Sequence, residues 1–158
     1  MTTDYIISSL PTLGFDAPAP LSWEKFVEAC GDQADSVLRR LGDGKWTDLE
    51  TQLKNAMAEA RGGEKYRHAA DGCSLYWKNR VLACFQEKDV AKRDEFLDRV
   101  WWDAAGELTP PSEPLGKGAL ATYAIRLKIA LKRSLISKDA GNASFDRLTA
   151  ETKRQPET

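Results

Sequence analysis

Three glycine–lysine pieces, one histidine, three cysteines and one oddly placed arginine are the residues of this chain whose types could do chemistry. In "LGDGKWT", Lys45 follows Gly44 as in a phosphate-binding loop. However, Arg39 stands where the first loop glycine belongs, and Trp46 replaces the Ser or Thr that would bind magnesium. "GGEKY" lacks the spacing as well. "PLGKGA" sets Gly116, Lys117 and Gly118 at a helix start, where free N–H groups and the helix dipole attract an anion; the plainer reading is a loop entering a helix. His68 falls, by helical phase, on the opposite side of its helix from Cys73 and Cys84, so neither a metal site nor Cys–His catalysis is expected. The acid pairs Glu24/Glu28 and Asp32/Asp35 occupy solvent-facing positions, where neither carboxylate is desolvated into a general acid. The expectation is a protein that is not an enzyme and holds no cofactor and no metal.

Arg80 stands out because its helical phase places it within the stripe of Cys73, Tyr76, Trp77 and Cys84. A buried guanidinium needs a carboxylate or several carbonyls. Asp98 or Asp103 could supply the acid internally; alternatively Arg80 marks a gap where a partner supplies it, or its charged end snorkels to water. A second feature is "FLDRVWWDAAGEL". Val100, Ala104 and Leu97 set a stripe that includes Trp101, which leaves Trp102 about 140° from its centre. So large an apolar ring needs a cover, either internal, such as the N-terminal arm, or a docking partner. Third, Lys117, Arg126, Lys128, Lys132, Arg133 and Lys138 lie between Glu113 and Asp139 with no acid among them. They are split across narrow gaps between two apolar faces. A solvated edge compensated by nearby acids is one reading of them and a protein-binding edge is the other. Trp102, Arg80, Lys117, Arg126, Lys128, Lys132 and Arg133 are therefore the candidate partner-interface residues.

The elements that must position these residues read as helices. Ser22 is a natural N-cap for "WEKFVEAC", whose Trp23, Phe26, Val27 and Cys30 keep helical spacing, and Gly31 ends it. A short helix follows near Gln33 to Leu41. Thr47 with Glu50 forms a capping box for a helix with the stripe Leu49, Leu53, Ala56, Met57 and Ala60. The next helix, from about Glu64 to Gln86, carries apolar residues on two sides and is expected to lie centrally. Asp89 or Lys92 begins the tryptophan helix, and "PPSEP" is a hard break. These signals divide the chain into an N-terminal arm (1–20), a helical core (21–109), a Pro/Gly linker (110–118), a long basic helix plus a short C-terminal helix beginning after Gly141 (119–150) and a frayed tail (151–158). The "YIISSLP" piece of the arm could be a strand or a short helical turn. The fold class is all-α, a compact bundle of about six to seven helices with an extended, Pro-containing N-terminal arm.

Charges nearly cancel, 23 Lys and Arg against 24 Asp and Glu, so a general pull on nucleic acid is not expected. No apolar run approaches the ~20 residues of a membrane span, and the N-terminus lacks the cations of a signal peptide. Direct membrane insertion is not expected, and a cytoplasmic location is. The odd cysteine count and the apolar settings of Cys30 and Cys73 suggest free buried thiols.

The segments "DYIISSLPTL", "PAPLSWEKFVEACG", "KDVAKRDEFLDRVWWDAAGELT", "ALATYAIRLKIALKR" and "FDRL", in this order, together resemble a small bacterial family of uncharacterised proteins associated with V-type ATPase operons. That family is similar to a part of the V-type ATPase C subunit, the d-type cap of the central rotor. The resemblance covers most of the chain through soft hydrophobic patterns. It implies a non-catalytic structural, coupling or accessory subunit of a V-type rotary ATPase. Its partners would be other subunits of that complex, at the rotor ring or the central shaft, with a peripheral seat at the inner membrane. Read without the resemblance, the residues also fit a free-standing helical adaptor that binds a protein or an anion.

Overall fold

The structure is a computed structural model that describes residues 2–42, 44–62 and 74–154, with side chains as far as residue 136. It is helical, and no strand occurs among the described residues. Helix α1 spans Thr3–Ser9, α2 Trp23–Cys30, α3 Ala34–Gly42, α4 Lys45–Ala60, α5 Leu75–Cys84, α6 Val90–Ala105 and α7 Lys117–Arg154. Short 3-10 turns at Gly31–Gln33 and Gly106–Leu108 join α2 to α3 and end α6.

Local signals explain most starts and stops. The Ser22 hydroxyl accepts the Lys25 N–H at 3.2 Å, and the Asp89 carboxylate accepts the N–H groups of Ala91 and Lys92. Each satisfies donors that a helix start leaves free. Three expectations need correction. The arm is not extended throughout: "YIISS" belongs to α1, with Asp4 in the first turn, where an acid suits the dipole. Helix α4 starts at Lys45 rather than behind a Thr47 cap. Gly44, at φ 70°, makes the turn, and the two extra residues carry Trp46 into the core. Finally, α7 is one helix of 38 residues, about 57 Å long, and no separate C-terminal helix follows Gly141. A helical glycine costs only about 1 kcal/mol against alanine, too little to end so long a run.

Helix α7 divides the interior. Leu120, Ala124 and Leu127 pack with Ile6, Phe26, Cys30 and Val37 of α1–α3. Ile125 turns the other way, onto Trp46, Leu53, Trp77, Val81 and Val100 of α4–α6. The central helix is therefore α7. The segment 64–86, expected in that place, is described only from Ser74, and its α5 part is peripheral: Leu75 is 67% exposed and Tyr76 63%. A wall between two cores needs small and apolar residues on both sides. Ala119, Ala121 and Ala130 let neighbours close in on α7, whereas the buried residues of α5 are Trp77, Val81 and Cys84 on one stripe. A close approach occurs at Gly118, where a Cβ would collide with the Leu108 carbonyl oxygen. Thr122, buried beside it, donates to the Ala105 carbonyl at 2.8 Å and so must accept from Thr109, 2.7 Å away.

Candidate functional site

In the tryptophan pair of α6, Trp101 packs on the core of α4–α6 as its helical phase predicts, yet Trp102 is the more deeply buried of the two. Trp102 is only 7% exposed, while Trp101 is half-buried. The Phe15 ring meets Trp102 edge-on at 5.6 Å, Ala130 of α7 packs with both, and the Arg126 guanidinium lies 5.4 Å above the indole. Arg126 Nε also donates to the Trp102 carbonyl at 3.0 Å. The cover is internal, supplied by the N-terminal loop, so within this chain Trp102 offers no docking face. Trp101 instead lines an apolar groove of about 280 Å³ with Met57, Leu97, Ile129 and Ile136, and Asp94 stands at its rim.

The loop between α1 and α2 is fixed to α7 at successive points. The Tyr123 hydroxyl donates to the Pro11 carbonyl at 2.6 Å. Arg133 Nε donates to the Phe15 carbonyl at 3.3 Å, with its guanidinium 3.9 Å from the Phe15 ring centre, and the Ala19 N–H reaches the Ser134 hydroxyl at 3.0 Å. Burial pushes the Tyr123 phenol up to about 12. Burial likewise disfavours the charged form of Arg126, lowering its pKa against the pull of Asp103.

The basic edge of α7 is largely engaged within the chain. Lys132 pairs with Asp98 at 2.5 Å, Arg133 approaches Glu95 at 3.7 Å and Asp98 at 3.8 Å, and Lys128 lies 4.8 Å above the Trp23 ring. Lys117 stands apart, exposed at the start of α7, about 22 Å along the axis from Lys132. The expected interface residues therefore do not form one patch. The glycine beside Lys117, which suggested an anion loop, has a packing role against Leu108 instead.

Arg80 is half-buried and bridges α5 to α6, with Nη1 2.8 Å from Asp103 Oδ2 and its guanidinium 5.6 Å from the Trp77 ring centre. Of the two acids considered, Asp103 takes it, and Asp98 is occupied by Lys132. Sequence reasoning missed Arg99, which shares Asp103 from one turn earlier at 3.5 Å. It also missed the open cleft of about 590 Å³ beside this pair, walled by Tyr76, Trp77, Pro110 and Pro111, with Lys45 at one end. The i, i+4 spacing of Arg99 and Asp103 was the available signal.

Cys30 and Cys84 are free thiols, and burial pushes both up; for Cys84 the nearby Arg80 charge opposes the rise. His68 and Cys73 lie outside the described residues. Among the described residues no three His, Cys, Asp or Glu side chains gather as metal ligands, and no helix is long and apolar enough to cross a membrane. No protein-family model, no curated protein and no solved structure matches this chain.

Proposed function

We propose that this chain is a non-catalytic structural, coupling or accessory subunit of a V-type rotary ATPase, linking or assembling the central stalk. The observation that carries the reading is the clamped central strut. A single helix of 38 residues serves as the common wall of two cores, and the N-terminal loop is fastened along it by Tyr123, Arg133 and Ser134. A part that transmits torque or holds neighbours in register must resist bending, and close packing on both sides of a long helix supplies that resistance. The sequence resemblance supports the same assignment. In it the chain is a compact bundle of about six to seven helices with a Pro-containing arm. It sits in the cytoplasm and meets the inner membrane only through the rotor ring or central shaft.

The free-standing anion-binding alternative has less to draw on, because Arg126, Lys128, Lys132 and Arg133 all make contacts inside the chain. The deciding experiment is purification of the tagged, full-length protein from its own cells, with mass spectrometry of what accompanies it. V-type ATPase subunits in near-stoichiometric amount are the expected result. A preparation free of all of them overturns the assignment.

A further inference from the structure

Two guanidiniums pair with a single carboxylate, and a third comes near it from another helix. Asp103 of α6 takes Arg80 of α5 at 2.8 Å and Arg99 of α6 at 3.5 Å. Arg126 of α7 lies beside Gly106, three residues past Asp103 on the same cleft, where the charges of Asp103 and Arg99 both act on it. Arg126 makes no ion pair with an acid among the described residues; its Nε is given to the Trp102 carbonyl and its face to the indole. Gly106 leaves room for it, since a Cβ there would lie 3.0 Å from Arg126 Nη2. Three cations less one anion leave a local excess of two positive charges. Lys45 and Glu107 at the margin cancel each other, and Lys45 Nζ already donates to the Glu107 carbonyl at 2.7 Å.

Such an excess is costly when half-buried, and an external anion that pairs with it relieves that cost. The unused N–H groups of Arg99 and Arg126 are planar forks that match carboxylates two bonds at a time. Asp103 takes one N–H from Arg80 and one from Arg99. Arg80 and Asp103 line an open cleft, with Arg126 behind its Gly106 margin, and its walls of Tyr76, Trp77, Pro110 and Pro111 suit the body of a peptide better than a bare ion.

We infer that the Arg80, Arg99 and Arg126 cluster around Asp103 docks a pair of carboxylates from an acidic segment of a partner protein. The inference rests on the adaptor reading only in requiring a protein partner, not on which complex that partner belongs to.

The test titrates the full chain with a 15-residue Glu/Ala peptide at about 0.05 M salt, where surface charges are weakly screened. Its Gln/Ala counterpart and inorganic phosphate serve as controls. Calorimetry and tryptophan fluorescence follow binding, since Trp77 and Trp102 lie under the guanidiniums. Saturable binding of the acidic peptide alone is expected, weakened about tenfold or more in Arg99→Gln and in Arg126→Gln. Arg126→Lys should recover part of it, because charge returns without the fork. Arg99 is half-exposed, so its variant should keep the wild-type circular dichroism spectrum and give a result even where Arg126→Gln does not fold.

The inference is overturned by absence of peptide binding, by equal binding of the Gln peptide, or by unchanged affinity in Arg99→Gln. Phosphate that displaces the peptide at equal concentration also overturns it, in favour of a free-anion site. Co-purification separates the two levels. V-type subunits that accompany wild type and the Arg99→Gln/Arg126→Gln variant equally well would remove the docking site and leave the adaptor reading standing. Arg-dependent peptide binding by a chain that brings down no such subunit would do the reverse.

Discussion

At the scale of single residues, the two adjacent tryptophans carry opposite duties, and their truncation should separate them. Trp102→Ala removes a nearly buried indole together with its Phe15 edge contact, and should cost about 3–5 kcal/mol of unfolding free energy in urea titrations. Trp101→Ala acts on a half-buried groove wall and should cost about 1–2 kcal/mol. Equal losses would contradict the packing described here. Tyr123 gives a pH signature. Its phenol stays protonated in the folded state up to about 12, whereas an unfolded tyrosine ionises near its ordinary value of about 10. The folded chain then holds a proton that the unfolded chain has released, so this group's contribution is complete below the lower value and fades as pH climbs to the upper one. Tyr123→Phe should flatten that alkaline fall in melting temperature while lowering stability at neutral pH through the lost bond to Pro11. Cys30 and Cys84, raised by burial, should react with a thiol reagent on the order of a hundredfold slower in the native state than in urea, measured in a Cys73→Ser background.

At the scale of elements, the glycines of α7 should respond with opposite signs. Gly118→Ala drives a methyl group into the Leu108 carbonyl and should cost about 1–3 kcal/mol, although alanine is the better helix former. Gly141→Ala, in mid-helix, should stabilise by up to about 1 kcal/mol and raise the helical signal in circular dichroism. A loss there would argue against a continuous helix.

What the sequence revealed about these elements followed from the range of each signal. Caps act within one turn, so Ser22 and Asp89 were legible, as were the Pro110–Pro111 break and the two apolar faces of α7. Helical phase finds which residues share a stripe, but not how many neighbours cover a helix. Helix α6 packs through its stripe on α4 and α5. Its other side is covered by α7 and by Phe15, from a loop more than 80 positions earlier, so phase showed that Trp102 needs a cover but not which element supplies it. The arginine cluster was half legible for the same reason. Arg80 drew notice by its place on a stripe, whereas the meeting of Arg80, Arg99 and Arg126 depends on three helices coming together.

At the scale of the whole molecule, the shared wall makes the two cores one cooperative unit. Val37→Ala lies in one and Val81→Ala in the other, and both side chains are almost fully buried. Each should cost about 2 kcal/mol, lowering a single melting transition by about 4–8 °C. Fluorescence and far-ultraviolet circular dichroism should trace the same curve in both variants. Two separated transitions would mean that α7 does not couple the halves.

The fastening of the first loop to α7 also bears on how the protein is made. Tyr123 and Arg133, which hold Pro11 and Phe15, are added more than 110 positions after them. At about 5–20 residues per second, that interval is roughly 6–24 s during which Phe15 lacks the arginine that holds it. This loop cannot settle until α7 has been made, and for those seconds it is a natural client for a chaperone.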